Sequence, residues 1–363
     1  MAKKTTLKRL GVGLGIAAVF AVFGLMAVLW MMGRPLYAVG SVRAGKNLRG
    51  PLEPPRQIDG SVWQVEPDIR LHFEAYGNGR PVLVVHGGPG SPYAKPWLGL
   101  EPLTDRFRFY YYHQRGCGES TRPFERFESS EYYANMTALE HTLGIGAQVA
   151  DIERIRRLLS QEQLLIIGHS FGGFLASLYA AEFPRRVEKL ILVAPAGVLV
   201  LPDKEDDLFQ RMRAKIATKE LAEYDSFLAE YLDFGDVFSK SEAELADLNK
   251  RMGQYMLAAM GDETAVSVDG PSNGGWMAQA MYFSMGASHD YRAAMKDVTM
   301  PVLIVHGADD QLTLRGSRMY DDWLPNSRFV MLGAEDPIRH AGHFVFNECP
   351  QEFGRVVAQF LAN

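Results

Sequence analysis

One stretch restricts the fold of this chain more than any other: Leu164-Leu165-Ile166-Ile167-Gly168-His169-Ser170-Phe171-Gly172-Gly173. The apolar run reads as a buried strand, Gly-x-Ser-x-Gly follows at once, and the pattern from Phe174 to Glu182 is helical. The order is strand, sharp turn, helix. Such a turn forces Ser170 into strained backbone angles, and a Cβ at either flanking glycine would collide with the neighbouring strand or helix. The serine hydroxyl then stands at the carboxyl edge of a sheet, beside a helix N-terminus whose free amides can hold an anion. Ordinary loops also contain glycine and serine, so the pentapeptide alone is a weak signal. Its partners elsewhere in the chain give it meaning.

Two such partners follow later strands. Val302 to His306 reads as a strand and runs into Gly307-Ala308-Asp309-Asp310, and the strand Arg328 to Leu332 precedes Arg339-His340-Ala341-Gly342-His343-Phe344 and an amphipathic final helix. Serine is a poor nucleophile until an imidazole takes its proton, and that imidazole needs a carboxylate on its other nitrogen. Ser170, Asp310 and His343 are the expected catalytic residues. Asp309 and His340 compete with them, but the Gly-x-x-Asp spacing selects Asp310 and leaves Asp309 as a solvated cap. The strand Pro81 to Val85 ends in His86-Gly87-Gly88-Pro89-Gly90, a backbone able to approach a ligand closely. The expected oxyanion donors are the N–H groups of Phe171 and Gly88. His86, His169 and His306 read as hydrogen-bonded packing residues, and His72, His141 and His289 as ordinary surface or core positions.

At 363 residues, 47% hydrophobic and 22% charged, the chain can hold one full α/β domain with an insertion. A net charge of -5 offers no basic field for nucleic acid. Cys117 and Cys349 form no ligand spacing and the nine histidines are scattered, so neither a metal nor a cofactor is expected.

The N-terminal 1–33 reads as a membrane anchor. From Leu10 to Gly33 no residue is charged, and a helix of that length reaches roughly 36 Å, enough to cross a hydrocarbon core of about 30 Å. A cleaved signal peptide would have a shorter apolar region and a small-x-small site, which Leu36-Tyr37-Ala38 matches poorly. Near the span Lys8 and Arg9 outweigh Arg34, so a single-pass protein with its catalytic domain outside the cytoplasm is expected. Residues 34–57, rich in glycine and proline, read as a spacer. The expected core is 58–197 and 297–363, where strands alternate with helices around a mostly parallel sheet. About a hundred residues lie between strands Val187 to Val193 and Val302 to His306, where a crossover needs about a dozen. Their periodicity over Leu208 to Met212, Leu221 to Leu232 and Leu245 to Met260 predicts an inserted helical cap over 198–296.

His-Gly-Gly-Pro-Gly at 86–90, Gln-Arg-Gly-Cys-Gly at 114–118, Gly-His-Ser-Phe-Gly-Gly at 168–173 and the late Asp310 and His343 resemble the proline iminopeptidase branch of the α/β-hydrolase fold. The resemblance covers nearly everything from about residue 60 except the cap. It implies the order Ser, Asp, His, favours His343 over His340 as the base, and implies a cofactor-free aminopeptidase or a related ester or amide hydrolase acting on a short peptide or small molecule. A carboxylesterase-like enzyme and a non-catalytic binding protein on the same scaffold are the alternatives, and oligomeric state is not legible.

The chain departs from that branch in places. His113 stands where Asp is common, and Phe171 where Trp is common. The branch holds the substrate ammonium with cap carboxylates, whereas Asp269-Gly270-Pro271-Ser272-Asn273 ends in a neutral amide where a related aminopeptidase has Glu. Opposite charges about 4 Å apart are worth roughly 4 kcal/mol at an effective dielectric near 20, so the loss matters. Glu223, Glu230, Asp233 or Asp236 could substitute; Glu230, Asn273 and Trp276 are the expected substrate-binding residues. Met277, Met281 and Met285 share one helical face with a core-packing pattern.

Overall fold

The computed structural model describes residues 33–46, 48–52, 56–203, 207–261, 273–335 and 340–362. The apolar run at 10–33 lies outside them apart from Gly33, as do residues 269–272. Among the described residues no helix is long and apolar enough to cross a membrane.

The chain begins its sheet with β1 (Arg56–Asp59), β2 (Val62–Glu66), β3 (Ile69–Gly77), β4 (Arg80–Val85) and β5 (Phe107–Tyr112). Helices α1 (Tyr132–Leu143) and α2 (Ile145–Leu158) lead to β6 (Leu164–His169), α3 (Phe171–Glu182) and β7 (Val187–Val193). There the chain leaves the sheet for β8 (Val200–Leu201), α4 (Leu208–Arg213), α5 (Leu221–Tyr231), α6 (Glu242–Met260), α7 (Trp276–Met285) and β9 (His289–Asp290). It returns through β10 (Val302–Gly307), α8 (Leu314–Trp323), β11 (Ser327–Leu332), α9 (Val345–Glu348) and α10 (Pro350–Ala362). Among the described residues one sheet holds nine strands in the order β1-β2-β3-β5-β4-β6-β7-β10-β11. Pairing is antiparallel from β1 through β3 to β5 and parallel from β5 to β11.

Strands covered on both faces must be apolar at successive positions rather than at alternate ones. β6 and β10 are buried along their whole length. In β4, Leu83 and Val85 join the core beneath α2 and α3, while Val82 and Val84 join the one packed on Trp97 and α10. The carboxyl ends of β4, β6 and β10 therefore open on one edge, where the candidate loops begin.

The helices expected in the insertion correspond to α4, α5 and α6. The last starts three residues early because Ser241 and Glu244 cap it reciprocally: Ser241 Oγ accepts from Glu244 N at 3.3 Å, and Glu244 Oε2 accepts from Ser241 N at 2.7 Å. The ends of the insertion meet again, since β8 pairs with β9 through Val200–Asp290 and Leu201–His289.

The stretch expected as a spacer is different. Much of it is docked on the domain, with Tyr37 and Val42 fully buried. The Glu182 carboxylate at the end of α3 accepts from Tyr37 Oη at 3.2 Å, from Arg43 N at 2.8 Å and from Gly40 N. Tyr291 Oη donates to Tyr37 O at 3.1 Å, and Leu36 N to Ser284 O at 2.9 Å. Glycine and proline marked the segment as irregular, which it is, but irregular backbone can still bury its few apolar side chains. β1 likewise begins inside the stretch that reads as linker.

Candidate active site

Ser170 stands between β6 and α3 with φ 53° and ψ -125°, in the left-handed half of backbone space where a side chain is strained. The surroundings enforce this. A Cβ on Gly172 would lie 2.2 Å from Val85 O, and one on Gly168 would lie 2.5 Å from Gly172 O. Ser170 N donates to Val193 O and Ala196 N donates to Ser170 O, each at 3.0 Å, so the turn is tied to the end of β7. Among the described residues Ser170 Oγ has no hydrogen-bond partner, and such contacts often tighten only when substrate arrives.

Asp310 lies just past β10, and its Oδ2 meets His343 Nδ1 at 2.7 Å. Thr313 N donates to Asp310 Oδ1 at 3.0 Å and Thr313 Oγ1 donates to Oδ2. Burial works to raise the Asp310 pKa, but the charge and hydrogen bond of His343, with Thr313, outweigh it and hold the carboxyl well below the usual range. The bond orients the imidazole and leaves Nε2 for another partner. The His343 ring lies 4.6 Å, centroid to centroid, from that of His169, the residue before Ser170. Two acids pin the rest of this loop: Asp309 Oδ2 accepts from Ala341 N at 2.8 Å, and Glu348 Oε2 accepts from Gly342 N at 2.5 Å. Asp309 thus tethers the His343 loop rather than merely capping into solvent. His340 lies half-exposed, 3.3 Å from Asp309.

The glycine loop abuts the serine: a Cβ on Gly87 would sit 2.9 Å from Ser170 Cβ. Gly88 takes a φ of +115°. Among the described residues neither Gly88 N–H nor Phe171 N–H has an acceptor. The 114–118 motif supports this loop from below, with Gln114 N donating to His86 Nε2 at 3.0 Å and Gln114 Nε2 to His86 O at 2.8 Å. Burial depresses His86 to about 3, which keeps it neutral and able to accept. Arg115 is fully buried and clasps Asp151 at 2.7 and 2.6 Å and Glu66 at 2.9 Å, anchoring the motif to α2. His113, at the branch's Asp position, is pushed down to about 4 by burial and by His72, and accepts from Glu119 N at 3.0 Å.

The inserted helices touch this edge at the start of α7, where Gly274 N donates to Gly90 O at 3.0 Å. Glu242, the first residue of α6, accepts from Gly275 N at 2.9 Å, from Trp276 N at 2.7 Å and from Arg122. Of the expected substrate-binding residues, Trp276 is fully buried, stacked on Phe238 and edge-on to Phe127. Asn273 offers its backbone carbonyl to Arg122 at 3.0 Å. Glu230 lies on the exposed face of α5, its carboxylate 3.9 Å from Arg251. Glu223, Asp233 and Asp236 are exposed as well. The methionine face of α7 is buried. Sequence reasoning missed Thr313, Glu242 and Arg122; the Ser241-x-x-Glu244 capping signature next to Glu242 was the one available signal. Among the described residues no group of three or more side chains could hold a metal ion.

Residues 80–348 match the family model described as the alpha/beta hydrolase fold. The chain belongs to the alpha/beta hydrolase fold family. Among the relatives of this hydrolase are proline iminopeptidases of Heyndrickxia coagulans, 26% identical over 300 residues and covering 80% of this chain and 93% of that one, and of Lactobacillus delbrueckii subsp. lactis, 26% identical with 77% and 90% covered. An esterase from Exiguobacterium antarcticum is similar in fold, with a TM-score of 0.52, 18% identity and 81% and 96% of the two chains covered. VinJ is similar at a TM-score of 0.58, 18% identity and 85% and 99% covered. The resemblance to the proline iminopeptidase branch read from the motifs is thus matched by whole-domain similarity.

Proposed function

We propose that this hydrolase cleaves amide or ester bonds through an acyl-enzyme on Ser170. The observation that carries the reading is the 2.7 Å bond between Asp310 and His343, on the same sheet edge as a serine in a strained turn. Ser170 Oγ attacks the substrate carbonyl while His343 Nε2 takes its proton, and Asp310 stabilises the imidazolium. The developing alkoxide is received by the N–H groups of Gly88 and Phe171. Collapse breaks the scissile bond, and His343 returns the proton to the leaving nitrogen or oxygen. Water then attacks the ester with His343 as base, releasing the acid and the free serine. Ser170→Ala should lower turnover by about 10⁴ to 10⁶-fold with the fold intact; a variant of undiminished rate would overturn the assignment. Failure of the purified protein to label with a fluorophosphonate would favour a non-catalytic binding role.

The narrower reading, supported by the relatives, is release of an N-terminal residue from short peptides. A second reading, hydrolysis of neutral esters, is favoured by one observation: Glu242, the buried carboxylate that holds the start of α7, already has three donors, and Glu230 is turned to solvent. Rates on aminoacyl amides, their N-acetylated forms and short-chain esters decide between them, because a site that reads a free amine rejects the blocked substrates. The inserted helices over 198–296 would act as the lid over this edge, and the apolar run at 10–33 as a membrane anchor. Release of the full chain from membranes by alkaline carbonate would overturn the anchor.

A further inference from the structure

Two buried imidazoles that the reaction does not use occupy equivalent positions behind the acid and the base. His169 ends β6, and its Nε2 lies 2.9 Å from the backbone oxygen of His343. His306 lies in β10, and its Nε2 lies 2.8 Å from the backbone oxygen of Asp310. A carbonyl oxygen only accepts, so Nε2 carries the proton in both rings and Nδ1 must be the acceptor. Each Nδ1 faces a hydroxyl that can supply the donor: Tyr93 Oη at 2.6 Å for His169, Ser317 Oγ at 2.9 Å for His306. Both rings are buried, and burial holds both below the ordinary histidine range, so they stay in the neutral form that this pattern requires.

We propose that His169 and His306 are positioning residues for the hydrolysis, each donating its Nε2–H to the backbone carbonyl of one member of the acid–base pair and thereby setting the separation and angle of Asp310 and His343. The inference rests on the acyl-enzyme reading above. A backbone carbonyl in a loop beyond a strand has no ladder partner to hold it, and the loop can drift. Asp310 and His343 must meet within a few tenths of an ångström, and displacement of a reacting group by about 1 Å can cost about 10²-fold in rate. Each brace comes from a strand of the sheet, so the sheet fixes the two loops that carry the acid and the base. Tyr93 brings the brace against the glycine loop, since its ring lies edge-on to that of His86 with centroids 6.5 Å apart.

The test compares His169→Leu, His306→Leu and the conservative His169→Gln, whose amide keeps a donor for the His343 carbonyl and an acceptor for Tyr93. Expected are losses of about 10 to 10²-fold in kcat for the leucine variants with KM nearly unchanged, a parallel fall in the rate of fluorophosphonate labelling, and a shifted acid limb in the pH profile of kcat/KM. His169→Gln should recover most of the rate. If the leucine variants do not fold, Tyr93→Phe, which deletes one oxygen, should still lower kcat and labelling by several-fold. Folded His169→Leu and His306→Leu proteins with unaltered kcat and labelling rate would overturn the proposal, as would a loss confined to melting temperature. Ser170→Ala separates this from failure of the parent reading: an inactive Ser170→Ala beside fully active histidine variants removes only the braces, whereas an active Ser170→Ala removes both.

Discussion

In the sheet, the carbonyls of Asp310 and His343 are held by neutral imidazoles, with Asp309 and Glu348 holding amides of the His343 loop beside them; at the start of α7, the inserted helices hang on a single carboxylate. Ser170, Asp310 and His343 are tied down by backbone hydrogen bonds and by the uncharged imidazoles of His169 and His306. The α7 N-terminus hangs on Glu242, whose carboxylate gathers two amides and the Arg122 guanidinium. The strap over 33–46 is held in the second way too, through buried Glu182. Neutral braces inside a sheet are geometrically strict and little affected by salt, whereas a partly buried ion pair is strong only while desolvated and complete. The candidate catalytic residues thus sit in the stricter part, and the start of α7 in the part that charge can loosen.

The largest effect expected from disturbing the strict part is on rate. Asp310→Asn removes the carboxylate that orients His343, and kcat should fall by about 10⁴-fold with little loss of stability; steady-state kinetics beside a thermal melt would show it, and a loss of less than tenfold would mean that the loop geometry is not strict.

Acidification tests the same part through stability. His86, His113, His169 and His306 are all lowered by burial. Below the ordinary histidine pKa near 6.5 the unfolded chain binds more protons than the folded one, so stability should decline as pH falls from about 6.5, by up to about 1.4 kcal/mol per pH unit for each histidine. Denaturant titrations at pH 7, 6 and 5 measure the slope, and a flat response would contradict the neutral braces.

Glu242→Ala leaves the amides of Gly275 and Trp276 without this acceptor and removes one ion-pair partner of Arg122, at about 3 kcal/mol. Amide exchange should then quicken over 276–285 while 302–307 stays protected; equal acceleration in both would show that the two regions open as one. Glu182→Ala leaves Tyr37 Oη and the amides of Gly40 and Arg43 without an acceptor, at about 2 kcal/mol. Limited proteolysis should cut 33–46 first. Glu230→Ala is the smallest change, within about 0.5 kcal/mol of wild type and without effect on KM; a raised KM for free-amine substrates would return Glu230 to the site.

How far the sequence could be read follows the same division. The parallel strands were legible to within a residue or so, because a parallel strand buried on both faces leaves an uninterrupted apolar run such as Leu164 to Ile167, whereas β1, β8 and β9 were not. The loops that follow were legible because Gly168 and Gly172 leave no room for a Cβ and because proton chemistry demands a base and an acid. The cap partners were not. Glu230 and Glu242 are both acids on amphipathic helices, and their spacing does not say which one turns inward. Thr313 was hidden for a related reason: a threonine three residues past an aspartate is common, and only the turn after β10 brings its amide to Asp310 Oδ1.

By itself the sequence determined the class of sheet, the strained serine and the order of its partners, since periodicity, glycine placement and proton chemistry are local or depend only on chain order. Tertiary structure alone decided which acid of the insertion is buried, that the glycine- and proline-rich strap packs against α3, and that His169 and His306 reach the carbonyls of His343 and Asp310. Those contacts join residues whose separation in sequence carries no record of their distance in space, and only packing chooses among the many pairings that the same residue types allow.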